Sequence, residues 1–201
     1  MTKEETRKGE RSRKKLVDAT ASLMRRQGFH ATGLSQIVSE SGAPRGSLYF
    51  YFPGGKDDLA IAALEASSDA WRAQILTAVA AAQDLHTAVD ALLTTLGDEL
   101  EASGWVNGCP VATVALESPS EPVRQMISAH FDQWLGIARQ LMVQFGIADD
   151  LAEQLAIVAL SAIEGGLLLS RVKRSRAPLL AVGHALKAMA EPHLPRAKKK
   201  R

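Results

Sequence analysis

A single cysteine, Cys109, excludes an internal disulfide framework and every multi-cysteine metal site in this 201-residue chain. Aromatic residues make up only 5% of it, too few for a β-sandwich, whose strands draw on Val, Ile, Tyr and Thr. No run of 18 apolar residues occurs, since Asp, Glu or Gln interrupts each alanine–leucine stretch, so no membrane partner is expected. The opening MTKEETRKGERSRKK is charged throughout and lacks the apolar segment of a signal peptide, which sets the expectation of a cytoplasmic protein. The five histidines show no i,i+4 pair, and no nucleophile elbow, phosphate-binding loop or paired catalytic carboxylates occur. An enzyme, a metal and a cofactor are therefore not expected. Cys109, between Gly108 and Pro110 with no cation nearby in sequence, reads as packing rather than as a reactive thiol.

What is present is a 46% hydrophobic, alanine- and leucine-rich chain, the composition of a helical protein. Its net charge of +2 conceals three blocks. Residues 1–56 carry 11 Lys/Arg against 5 Asp/Glu, residues 57–191 carry 8 against 17, and the last ten residues add five cations. A basic head on an acidic body suits a chain that offers one end to a polyanion.

Apolar spacing predicts helices over 11–27, 34–40, 45–51, 56–82, 84–102, 110–117, 121–145, 149–174 and 177–190. Breaks fall at Gly28, Ser41-Gly42, Pro53-Gly54-Gly55, Gly104, Gly108-Cys109-Pro110, Pro119, Gly146 and Pro178. No strand alternation and no repeat of fixed period appears. The expected fold is all-α, about nine helices, with a helix-turn-helix DNA-binding head over 1–55, a helical ligand-binding and dimerisation body over 56–192 and a basic disordered tail over 193–201.

Residues 34–51 hold the informative constellation. Two short helices meet at Ser41-Gly42-Ala43, where Gly42 supplies a left-handed corner and Ile37, Val38 and Leu48 a small core. The second helix is short enough to enter a major groove with Arg45 reading guanine in bidentate fashion. Ser47, Tyr49 and Tyr51 offer hydroxyls, and Lys56 joins a cation to the amides that open the next helix, a suitable phosphate anchor. The plainer reading is an αα-corner with aromatic packing, which Phe52 fits.

The stretch Ala31-Thr-Gly-Leu-Ser-Gln-Ile-Val-Ser-Glu-Ser-Gly-Ala-Pro-Arg-Gly-Ser-Leu-Tyr-Phe-Tyr-Phe52, followed by Pro53-Gly-Gly-Lys-Asp-Asp-Leu59, resembles the DNA-binding signature of TetR-type transcriptional regulators. Gly108-Cys-Pro-Val-Ala-Thr-Val-Ala-Leu-Glu117 resembles the sixth-helix region of the LmrA/YxaF-like branch. The resemblance implies double-stranded operator DNA as partner, with contacts from Thr32, Ser35, Pro44, Arg45, Gly46, Ser47, Tyr49, Phe50, Tyr51 and Lys56. Thr32 occupies the position that caps the second helix in the family, and Gly33 departs from it by standing where Thr or Ser is frequent. A homodimer built on the last two helices is implied as well, and Leu155, Val158, Ala159, Ala162, Gly166 and Leu169 form a small-residue face for it. Ile157, Leu160, Glu164, Leu168 and Arg171 occupy a different face of the same helix. The family's effector cavity directs attention to Trp71, Trp105, His130, Phe131, Trp134, Met142, Phe145, Glu164 and Leu168, which suit a small hydrophobic or cationic molecule. The function so implied is a ligand-released repressor acting on a palindromic operator. Activation by the same fold, or a dimeric small-molecule-binding module that no longer binds DNA, are the alternatives.

Overall fold

The computed structural model describes residues 3–117 and 120–195, and within them nine α-helices and no strand. They are α1 (Lys3–Gln27), α2 (Leu34–Ser41), α3 (Arg45–Tyr51), α4 (Lys56–Val79), α5 (Leu85–Ala102), α6 (Pro110–Ala115), α7 (Glu121–Gln144), α8 (Asp149–Lys173) and α9 (Ala177–Ala190), with a 3-10 turn at Glu191–His193. The basic tail from Arg196 onward lies outside the described residues. Helix boundaries follow the sequence reading within a few residues, except that α1 begins at Lys3 rather than Arg11. The added turns carry no apolar periodicity and so gave no pattern to read.

The described residues form two compact units, one comprising those up to Trp71 and those of Gly108–Ser128, the other Arg72–Asn107 and those from Ala129 onward. In the first unit, Leu16, Val17, Leu23, Ile37, Ala43, Leu48, Phe52, Leu59 and Ala63 make one buried cluster, onto which α1, α2 and α3 converge. Local chemistry sets the corners. Gly42 stands at φ +58° and closes α2, while the Ser41 hydroxyl donates to Val38 O at 3.1 Å and accepts the Ala43 amide at 3.2 Å. Asp58 reaches back from the first turn of α4 to accept the Gly54 amide at 2.7 Å.

The second unit holds a buried cluster of Leu85, Ile147, Ala152 and Ala190, and α5, α8 and α9 pack there. Helix α5 starts on a capping box between Asp84 and Thr87. Across the α5–α9 seam, Arg176 bridges Asp98 and Glu101 at 2.6 Å each, and Lys187 meets Asp90 at 2.6 Å. Gly183 lies against Leu93, a close approach that only a residue without Cβ permits.

Helix α8 divides its apolar residues between two sides, and the division corrects the expected dimer face. Ala159 and Gly166 are buried within the chain, a Cβ on Gly166 would stand 3.1 Å from Val182 and 3.3 Å from Leu179, and Leu155 packs on the Ile147–Ala152 cluster. The small residues therefore serve the protomer's own α8–α9 contact, and Ala162 is half-buried. Of the expected six, Val158 and Leu169 are exposed; they join Ile157, Leu168 and Val172 in an apolar stripe open along the helix. Helix α8 is also the one described helix long and apolar enough to cross a membrane by length and composition.

Candidate nucleic-acid interface

Helix α3 has two unlike sides. Leu48 and Phe52 point into the head's core, while Arg45, Gly46, Tyr49 and Phe50 are exposed, Tyr49 at 59% and Phe50 at 76%. Positions i, i+1, i+4 and i+5 share one face of a helix, so a single surface presents a guanidinium, a bare backbone, a phenol and a phenyl ring. Nothing lies within 4 Å of where a Cβ on Gly46 would be, so a ligand's backbone can approach closely there. Pro44, which precedes the helix, and Ser35, on the first turn of α2, are exposed as well, and Ser47 is half-buried.

Two expected contacts are turned inward. Thr32 is fully buried, and its hydroxyl donates to Gly28 O at 2.6 Å. It therefore closes the α1–α2 turn and does not cap α2, whose N-cap is Gly33 without a side-chain bond. Tyr51 is half-buried against the head's core with its hydroxyl beside Gly9 of α1, and its ring meets Phe50 edge to face at 4.8 Å. It holds α1 against α3 and is not presented with Tyr49.

Lys56 opens α4, and its ammonium donates to His30 O at 3.2 Å while lying 4.4 Å from the centre of the Phe29 ring. Partial burial pushes its pKa below the usual lysine value, and Glu117 and Asp57 pull it partly back. Glu117 itself accepts the His30 amide at 2.6 Å. Sequence reasoning did not find this knot of Phe29, His30, Lys56 and Glu117. Its only local signal is Gly28, at φ +82°, against which the Glu117 carboxylate rests.

The expected effector residues separate into groups. Trp71 lies in the first unit under the Arg25 guanidinium, 5.3 Å from its ring. In the second unit, His130 is buried and meets Phe131 and Trp134 edge to face at 5.8 and 6.2 Å. Met142 and Phe145 pack on the cluster of Leu85, Ile147, Ala152 and Ala190, which makes them core. Leu168 is 55% exposed and belongs to the open stripe of α8, not to an interior. Trp105 and Glu164 are half-buried, Trp105 in the left-handed region at φ +66°. Cys109 is buried, and its sulfur accepts the Ala112 amide at the start of α6. Among the described residues no three His, Cys, Asp or Glu side chains are grouped to hold a metal.

Comparison with known proteins agrees with the head's geometry. Residues 16–63 match the profile of bacterial regulatory proteins of the tetR family, and residues 85–185 match the C-terminal domain of LmrA/YxaF-like transcriptional regulators. The chain is 34% identical to the HTH-type transcriptional regulator LmrA of Bacillus subtilis over 177 residues, covering 87% of this chain and 94% of that one. It is 36% identical over 190 residues to an HTH-type transcriptional regulator of Mycobacterium tuberculosis, covering 91% and 96%. Among solved structures, a TetR-family transcriptional regulator from Streptomyces coelicolor superposes with a TM-score of 0.80 at 22% identity, covering 92% of this chain and 96% of that one. The regulatory protein TetR from Rhodobacter sphaeroides follows with 0.76 at 19%, covering 90% and 98%.

Proposed function

The chain belongs to the TetR family of transcriptional regulators, and from that premise we propose that it is a homodimeric repressor that a small hydrophobic molecule releases from a palindromic operator. It is a DNA-binding regulator and not an enzyme. The observation that carries the finer reading is the exposed face of α3. Arg45, Tyr49 and Phe50 point away from the head's core, so one surface offers a guanidinium, a phenol hydroxyl and an apolar ring, the groups that contact base edges, phosphates and thymine methyls. Arg45 reads a guanine, Phe50 meets a thymine methyl, and Tyr49 and Lys56 hold phosphates. DNA as the partner makes the cytoplasm the place of action.

The stripe of Ile157, Val158, Leu168, Leu169 and Val172 on α8 is the surface for a second copy. Contiguous apolar surface of this kind favours association, and a two-fold pairing covers the same residues on both chains. Two heads then address two half-sites about one helical turn apart or more. The ring cluster of His130, Phe131 and Trp134 is the candidate place where an effector enters the body. A coupling of about 1–3 kcal/mol between effector and DNA is enough for a 5- to 150-fold switch.

The test is selection of bound duplexes from a random pool by the ligand-free protein at near-physiological salt. An enriched inverted repeat supports the reading. A folded dimer that enriches nothing overturns it in favour of a binding module with an inactive head.

A further inference from the structure

Helix α1 is longer than its packing requires. Residues 7–15 include no buried side chain and the helix starts at Lys3, so an arm of 13 residues, about 20 Å at 1.5 Å per residue, precedes the core residue Leu16. From residue 7 to residue 15 the arm carries Arg7, Lys8, Arg11, Arg13, Lys14 and Lys15 against Glu10, and all six cations are exposed. Like charges at i,i+3 and i,i+4, as in Lys8, Arg11 and Lys15, weaken an isolated helix. An arrangement of this kind is stabilised by a polyanion.

The arm's position says which one. Gly9 lies against the Tyr51 hydroxyl, so closely that a Cβ there would overlap it, and the Arg13 guanidinium stands 5.4 Å from the Phe52 ring. Both partners belong to the C-terminal end of the recognition helix, so the arm lies directly beside α3. Lys14 is held by Asp18 at 2.5 Å, whereas Arg7, Lys8, Arg11 and Lys15 enter no ion pair among the described residues. At 100° per residue these four fall within an arc of about 100°, clear of the side that meets α3.

We propose that this arm is a second DNA-binding element, which grips the phosphate backbone flanking the groove that α3 enters. The proposal rests on the DNA-binding reading above and extends it. Arginine and lysine on an exposed helix read no sequence from phosphates, so the arm adds affinity and salt dependence and leaves operator choice to α3.

The experiment measures binding of the full-length protein to a random 30-base-pair duplex as salt is raised, with melting temperature as the check on folding. The triple variant K8Q/R11Q/K15Q is expected to lower the slope of log K against log salt by about two to three per protomer, at about 0.9 for each phosphate no longer neutralised. Gly9→Leu keeps every charge but pushes the arm off Tyr51, and is expected to lower the slope by about one or more. The control K173Q/R174N, in the second unit, changes the net charge without touching the arm and is expected to leave the slope as it was. A triple variant with the wild-type slope, an unaffected Gly9→Leu protein, or a control that falls equally overturns the proposal. Wild-type protein that binds no duplex even at low salt overturns the DNA-binding reading itself, a distinguishable result.

Discussion

Glu117 holds His30 at two points: its carboxylate accepts the His30 amide at 2.6 Å, and its carbonyl accepts the ring Nε2–H at 2.7 Å, across 87 residues of chain. A carbonyl only accepts, so the bond places the imidazole proton on Nε2. The same carboxylate rests where a Cβ on Gly28 would stand, and Lys56 donates to the His30 carbonyl. The turn after α1, the start of α4 and the residue just past α6 are thereby tied together within the first unit.

Gly28 consequently has two reasons to be glycine, and they are separable. Gly28→Ala is expected to cost about 1–2 kcal/mol for the left-handed backbone alone, plus about 1 kcal/mol or more for displacing Glu117. In a Glu117→Ala background the second cost disappears, so a double-mutant cycle read by denaturant unfolding gives a coupling near 1 kcal/mol. Strict additivity would show that the carboxylate moves aside freely.

The environment of Lys56 predicts a pH dependence with a definite sign. Burial is the largest influence and lowers its pKa below 10.5, while Glu117 and Asp57 raise it. Folding therefore favours the neutral amine, so this residue's charge opposes stability below the folded pKa. Its contribution improves as pH climbs through that value toward 10.5. A lysine-resolved NMR titration is expected to find Lys56 below the ordinary lysine value of 10.5, and lower still in Glu117→Gln. Titration at or above the ordinary value would contradict the account.

How far the sequence reveals these features depends on whether their causes are local. The helix-turn-helix was legible because Gly42 marks a corner between two short helices and Ile37 and Leu48, one on each, offer a small core across it; both are buried and Gly42 closes α2. Helix α8 was legible as a helix but not in its orientation, because a helix apolar on two sides does not say which side its own chain covers. Gly166 and Ala159 suited a partner equally well until Val182 and Leu179 were seen to occupy that side. Thr32 misled for a related reason, since its hydroxyl bonds backward to Gly28 instead of forward onto α2. The Glu117–His30 tie and the reach of α1 to Lys3 have no periodic signal, one being a contact between distant segments and the other a run of polar residues.

Arg45 and Lys56 are expected to fail in different ways. Arg45→Ala should narrow the gap between operator and random DNA, at about 1–3 kcal/mol for the absence of one bidentate base pairing. Lys56→Ala should weaken both duplexes alike and reduce the salt slope by about one. Titrations on both duplexes at several salt concentrations separate these outcomes. Equal losses for the two variants on both duplexes would remove the distinction between reading and anchoring.

Two variants on α8, one double and one single, separate the proposed dimer surface from the protomer's own core. Leu168→Glu with Val172→Glu places carboxylates on the open stripe, where nothing within the chain is displaced. In a two-fold pairing each charge is duplicated in one interface, so the dimer is expected to split while the helical content and each protomer's fold remain. Gly166→Val drives a side chain into Val182 and Leu179 and is expected to lower the melting temperature, at about 1–3 kcal/mol for overpacking. Light scattering after size-exclusion chromatography gives the mass of each. A doubly charged variant that stays dimeric places the interface elsewhere. One that becomes monomeric should also bind an inverted repeat no better than a single half-site, because the second head no longer gains from the first having bound.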